Sequence, residues 1–144
     1  MADRLVDLRI NTAAGWVLSD ADLQEISRHC QNLEHFSYQQ TDNLGDILSK
    51  EGAIALVRGC PKLKSVVLIN TLSVQIEAFE YIAEHATKLQ NLLVVGGSRP
   101  YFPLMHNSDL RLRLGEKIEH FEAISLREYL GRAVEARRGS RNWY

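Results

Sequence analysis

The sequence predicts an α/β solenoid in which short parallel strands alternate with helices, stacked as four to five units in a curved layer. Three observations point there. An "LxxLxL"-like stretch starts at Leu5, Leu33, Leu63 and Leu89, with a weaker copy at Ile118, at spacings of 28, 30, 26 and 29 residues. A helical register locks to it: Leu23, Ile26 and Cys30, then Ala53, Leu56 and Cys60, then Phe79, Ile82 and Ala86 stand at i, i+3 and i+7. That spacing gathers apolar side chains on one helix face. Finally, a small residue precedes each later start by three positions: Cys30, Cys60, Ala86 and Gly115. A unit this short cannot bury its own apolar face and must stack on neighbours. Strand–helix–strand crossovers make the strands parallel, with strands on the concave side and helices on the convex side.

Taken in order, the first strand begins at Leu5 and leaves four residues to cover an exposed parallel edge. This points to a longer array or to a small subunit docked at that end. Ser19 and Ser49 precede the first two helices, where a hydroxyl accepts free backbone N–H groups. Pro61 closes the second helix, since proline cannot continue one. After Gly96-Gly97, Pro100 and Pro103 predict an irregular loop. "DLRLRL", from Asp109 to Leu114, reads equally as a short strand or as a convex helix. A capping helix is expected over about residues 126–138. Ser125 and Glu128 have capping-box spacing there, Leu126, Tyr129, Leu130 and Ala133 form an apolar stripe, and Gly139 is the expected stop. This helix would cover the last strand, and "SRNWY" would fray beyond it.

The stretches "LSDADLQEISRHCQNLEHF" (18–36) and "LSKEGAIALVRGCPKLKSV" (48–66) resemble the cysteine-containing leucine-rich repeats of F-box ubiquitin-ligase receptors and their relatives. The resemblance covers residues 5–95, and it departs from the pattern at Ala86, which stands where the earlier units have Cys30 and Cys60. It implies a leucine-rich-repeat horseshoe arc that binds a protein on its concave face. It further implies the substrate-recognition part of an F-box-type adaptor, although these 144 residues contain no F-box-like segment. The alternative, of a different class, is a small structural or assembly subunit of a large complex.

Composition agrees with one ordinary globular domain. The chain has 144 residues, 45% hydrophobic and 24% charged, with a net charge of −1. That balance gives no pull toward nucleic acid, membrane or a strongly charged substrate. Residues 109–144 mix eight Lys or Arg with six Asp or Glu and make no nucleic-acid stripe. No apolar run reaches the roughly 20 residues of a membrane helix. Two cysteines at equivalent positions read as small buried hydrophobes, which fits a reducing intracellular compartment, cytoplasmic or nuclear.

Three rows of residues are expected on the concave face: Asp7, His35, Ser65, Asn91 and His120; Arg9, Ser37, Val67, Leu93 and Glu122; Asn11, Gln39, Ile69, Val95 and Ile124. The candidate partner-binding residues are Arg9, His35, Ser37, Val67, Ile69, Leu93 and Val95. Of these, Val67, Ile69, Leu93 and Val95 form one apolar block, and such patches mark binding surfaces. A second reading is equally open: the loop 98–114 folds over the block and makes it core.

No catalytic, metal or cofactor residue is expected. His35 and His120 fall three strand steps apart, roughly 14 Å at about 4.8 Å per step, and no single ion spans that distance. His29 and His85 sit near helix C-termini, a favourable place for a polar ring. Cys30 and Cys60 lack the further ligands of a zinc site. "GGSRP" lacks the Lys-Ser/Thr and helix of a phosphate loop. "ARRGS" is a kinase-like tetrapeptide at Ser140, read as a solvated helix end. The expectation is a non-enzyme that binds protein, without nucleic acid, membrane, small molecule or cofactor.

Overall fold

The computed structural model describes residues 4–12, 19–40, 50–69, 76–96, 104 and 107–141. Strands and helices alternate throughout. They are β1 (Asp7–Thr12), α1 (Asp20–His29), β2 (His35–Gln40), α2 (Lys50–Gly59) and β3 (Ser65–Ile69), then α3 (Ile76–His85), β4 (Asn91–Val95), α4 (Ser108–Lys117), β5 (His120–Ile124) and α5 (Leu126–Arg141). The strands form one parallel sheet in the order β1-β2-β3-β4-β5. This arrangement is compatible with a solenoid.

The sheet register joins the positions that the sequence spacing equates. Asp7 stands beside His35, His35 beside Ser65, Ser65 beside Asn91, and Asn91 beside His120. The cause lies in the joints between helix and strand. After α1, the Cys30 N–H reaches the Ile26 carbonyl at 2.8 Å, and the Leu33 N–H closes a turn on the Cys30 carbonyl at 3.2 Å. The same pair of bonds recurs at Cys60 and Leu63, and again at Ala86 and Leu89. One carbonyl of the preceding layer then receives two donors. Val6 accepts from Glu34 and His35, Glu34 from Lys64 and Ser65, and Lys64 from Gln90 and Asn91. Each strand thus starts at a fixed offset from its neighbour, and strand alternation sends even-numbered side chains of β1–β3 under the helices.

The main core lies between that face and helices α1–α4. Phe36, Tyr38, Leu68, Leu92 and Val94 from the strands meet Leu23, Ala53, Leu56, Phe79 and Ile82 from the helices, all buried. Each large aliphatic or aromatic residue taken out of water contributes about 1.5–3 kcal/mol before the entropy of ordering is subtracted. The helices pack closely. A methyl group on Gly59 would meet Ser27, and one on Gly52 would meet Asp20 and Leu23. Cys30 and Cys60 stack in adjacent layers, and the Cys60 thiol donates to the Cys30 carbonyl at 3.4 Å.

Helix α1 starts as its sequence dictates. The Ser19 hydroxyl accepts from the Asp22 N–H, and the Asp22 carboxylate accepts from the Ser19 N–H at 2.9 Å. Ser49 falls outside the described residues. "DLRLRL" is part of helix α4, whose first turn is capped by the Asn107 side chain accepting from the Leu110 N–H at 3.0 Å. Gly115 does not end that helix. It lies inside α4, exposed, with no neighbouring atom near the place of a Cβ, and Ile118 is the cap instead.

The end of the chain departs from expectation in two further ways. Helix α5 begins with the Ser125 hydroxyl accepting from the Glu128 N–H at 3.1 Å, but it runs through Gly139 to Arg141. A glycine weakens a helix by about 1 kcal/mol without obliging it to stop. The expected stripe also divides: Tyr129 packs inward while Leu130 is exposed. The side chains of Leu126 and Ala133 fall outside the description.

Candidate partner-binding face of the sheet

The odd-numbered residues of β1–β4 and the even-numbered ones of β5 form the second face of the sheet. The first row, from Asp7 to His120, and the second, from Arg9 to Glu122, cross all five strands in register. Arg9 and His35 are exposed, and Ser37, Val67 and Leu93 are half-buried. Arg9 holds Asp7 at 3.2 Å, yet its side chain remains 80% exposed and open to a partner. Val67 and Leu93 are side-by-side register partners, so they form one small apolar strip.

Ile69 and Val95 must be removed from the exposed set. They are 6% and 0% exposed and form a second apolar cluster with Ile124, against which Val67, Leu93 and Tyr129 pack. The physical reason is that the three are register partners across β3, β4 and β5 and pack side by side, with Tyr129 of α5 against them; Arg132 of the same helix reaches Glu122. The Arg132 guanidinium donates to the Glu122 carboxylate and, at 3.1 Å, to Glu128. Those two carboxylates, Glu122 foremost, raise the Arg132 pKa further.

The alternative cover, loop 98–114, goes elsewhere wherever it is described. Leu104, Leu110 and Leu114 are all fully buried in the main core under the helices. Residues 97–103 and 105–106 lie outside the described residues. Sequence reasoning missed the Arg132–Glu122 pair, although the Glu128–Arg132 spacing of four was visible as a helix ion pair.

Among the described residues, the titratable groups form no cluster of nucleophile, base and orienting partner. Both histidines of the first row are exposed, on β2 and β5, three strands apart. His29 lies 3.4 Å from Glu25, and His85 lies 3.7 Å from Glu84 with its ring against Tyr81. Burial, with Cys30 adding to it, pushes the Cys60 thiol up to about 11, and burial raises Cys30 too. Both are therefore neutral thiols near pH 7, and only the thiolate is a nucleophile. Among the described residues, no three His, Cys, Asp or Glu side chains converge as a metal site, and no helix is long and apolar enough to cross a membrane.

No protein-family model matches the chain, and no curated protein matches it.

Proposed function

We propose that this chain is a leucine-rich-repeat protein that recognises a protein partner on the sheet face opposite α1–α4, without chemistry of its own. The carrying observation is the Val67–Leu93 strip. It is half-buried, flanked by Ser37 and Glu122 in its own row, and continuous with the exposed Arg9 and His35 at the β1–β2 end. A small apolar centre with a polar, partly charged margin is the usual layout of a protein-binding surface. The paired cysteine phrases and their spacing support the leucine-rich-repeat assignment, and the resemblance to F-box receptors makes substrate recognition for a ubiquitin ligase the finer form of this role, in the cytoplasm or nucleus.

A second reading, a small structural or assembly subunit, is favoured by apolar residues left exposed near the β5 end. Leu112 is 63% exposed, Leu130 54% and Val134 48%. The two readings separate by affinity capture with variants that keep their circular dichroism spectrum. Arg9→Glu with Ser37→Arg removes the partner if the sheet face binds it, and Leu112→Ser with Leu130→Ser removes it if the subunit reading holds. Capture unchanged by the first pair refutes the sheet-face proposal. Ubiquitin-ligase components among the proteins lost with that pair support the finer role, and their absence counts against it.

A further inference from the structure

The turns on the N-terminal side of the strands repeat a charge. Three positions before Asp7, His35, Ser65, Asn91 and His120 stand Arg4, Asn32, Lys62, Lys88 and Lys117. Because those strand starts are in register, Arg4, Lys62 and Lys88 place cations before the strands along one edge of the sheet, with about 4.8 Å from one strand to the next, and Lys117 joins them from the last turn of α4. Lys62, Lys88 and Lys117 line a single groove of about 530 Å³. Among the described residues none of these three has a carboxylate within 4 Å, whereas Lys64 beside them holds Glu34 at 2.9 Å and, with a smaller contribution from Lys62, keeps that carboxyl below its usual range. Three ammonium groups lining one groove offer an anion several partners at once.

A second feature adjoins the groove. Between α2 and α3 lies a cavity of about 200 Å³, walled by buried Leu56, Cys60, Val66 and Ile82, with exposed Pro61 and Lys88 at its rim. Thr87, Lys88 and Leu89 line both hollows. Ala86 stands in the lining of this cavity, at the position where the two earlier layers have cysteine. One layer earlier, the Cys60 sulfur fills the space against the Cys30 carbonyl. Ala86, at the equivalent position, has no sulfur to place against Cys60. An apolar cavity of about 150 Å³ stays dry and admits an apolar group of benzene's size.

We propose that this edge binds a short acidic segment of a partner protein carrying one aliphatic side chain. The aliphatic group enters the cavity between α2 and α3, and the carboxylates lie on Lys62, Lys88 and Lys117. The dimensions agree. An extended peptide rises about 3.3 Å per residue and sends alternate side chains to one face, so acidic residues at i and i+2 point the same way, about 6.6 Å apart, toward the lysines that line the groove. A nucleic acid fits less well: it offers nothing aliphatic for the cavity, and among the described residues no Phe, Tyr or Trp lines either hollow as a stacking platform. This surface is separate from the sheet face proposed above.

The test selects random peptides about twelve residues long, displayed on phage, against the full chain, and counter-selects on Lys62→Gln/Lys88→Gln/Lys117→Gln. These lysines are exposed, so the variant keeps its fold, checked by circular dichroism. Enriched sequences are expected to combine Asp or Glu with a single Leu, Ile, Val or Met. By fluorescence anisotropy the synthetic peptides lose about tenfold or more in affinity on the triple variant, about 1.4 kcal/mol, and a similar factor when the aliphatic residue becomes Ser. Binding to Arg9→Glu/Ser37→Arg is unchanged. The proposal is overturned if no peptide is enriched, if enriched peptides are neutral or basic, or if the triple variant binds them equally. It is also overturned if oligothymidylate binds through the same lysines as tightly as the best peptide.

Discussion

Replacing Gly59 by alanine tests how closely α1 and α2 approach. A Cβ at that position would lie 2.3 Å from the Ser27 Cβ, 2.7 Å from its Oγ and 3.2 Å from its Cα. Carbon atoms not bonded to each other rest at about 3.5–4.0 Å, so the added methyl overlaps Ser27 by more than an ångström. One of the three atoms is backbone, and relief requires α1 to shift. Against this stands intrinsic propensity, which favours alanine over glycine inside a helix by about 0.8–1.0 kcal/mol. Overpacking costs about 1–3 kcal/mol, and the net expectation is a loss of roughly 1 kcal/mol. Gly115→Ala is the internal control, because nothing lies within 4 Å of its Cβ position in α4. It should stabilise by up to about 1 kcal/mol. Urea unfolding followed by far-ultraviolet circular dichroism reads the pair. With a slope of about 1–3 kcal/mol per molar, the two midpoints separate by roughly 1 M, in opposite directions from wild type. Adding Ser27→Gly to Gly59→Ala should recover much of the loss. If Gly59→Ala raises the midpoint as Gly115→Ala does, the helices do not meet at this distance and the packing argument fails.

Three other outcomes follow from the same geometry. Because the Cys60 pKa rises from about 9 to about 11 on folding, the folded state holds that proton longer. Its contribution is complete below pH 9 and is lost as the pH climbs toward 11. Cys60→Ala should therefore flatten the alkaline fall in stability relative to wild type, and parallel curves would refute the burial. Ala86→Cys places a sulfur where the cavity between α2 and α3 begins and should raise stability by about 0.5–1 kcal/mol, on the scale of one buried methylene. A lowered melting temperature would show that this space is already filled. Arg132→Gln removes the guanidinium that Glu122 and Glu128 share. Hydrogen exchange should quicken across α5 while β2 and β3 remain protected, and unchanged α5 exchange would mean that the helix is held otherwise.

The order and register of the strands were legible in the letters because the joints into β2, β3 and β4 use the same bonds. A small cap residue and a leucine three positions later meet the same backbone geometry at Cys30, Cys60 and Ala86. Where the joint changes, the letters mislead. Gly115 has the spacing of a cap but sits in an exposed part of α4, because the helix continues to Lys117. The candidate face was legible as a set of side-chain directions, since alternation along a strand is local. Its exposure was not, because the burial of Ile69 and Val95 involves Tyr129, about thirty to sixty positions later in the chain. Nothing local to β3 or β4 announces that a side chain from the far end will pack against them. The lysine row was also present in the sequence, but its meaning as a row depends on the register that stacks Ser65, Asn91 and His120.

The shared carbonyls of Val6, Glu34 and Lys64 have a consequence for how the structure comes apart. Each ties two amides of one layer to the layer before it, so these joints bond a layer only to its immediate neighbour. Stability in such an array is a sum of layer and interface contributions, and the weakest interface sets where it opens. Between α1 and α2 the interface is closed by Gly52 and Gly59 against Asp20, Leu23 and Ser27. Between α2 and α3 it contains the cavity. The helix layer thus loosens beside Ala86, while on the other face of the sheet Ile69, Val95 and Ile124 hold β3, β4 and β5 together.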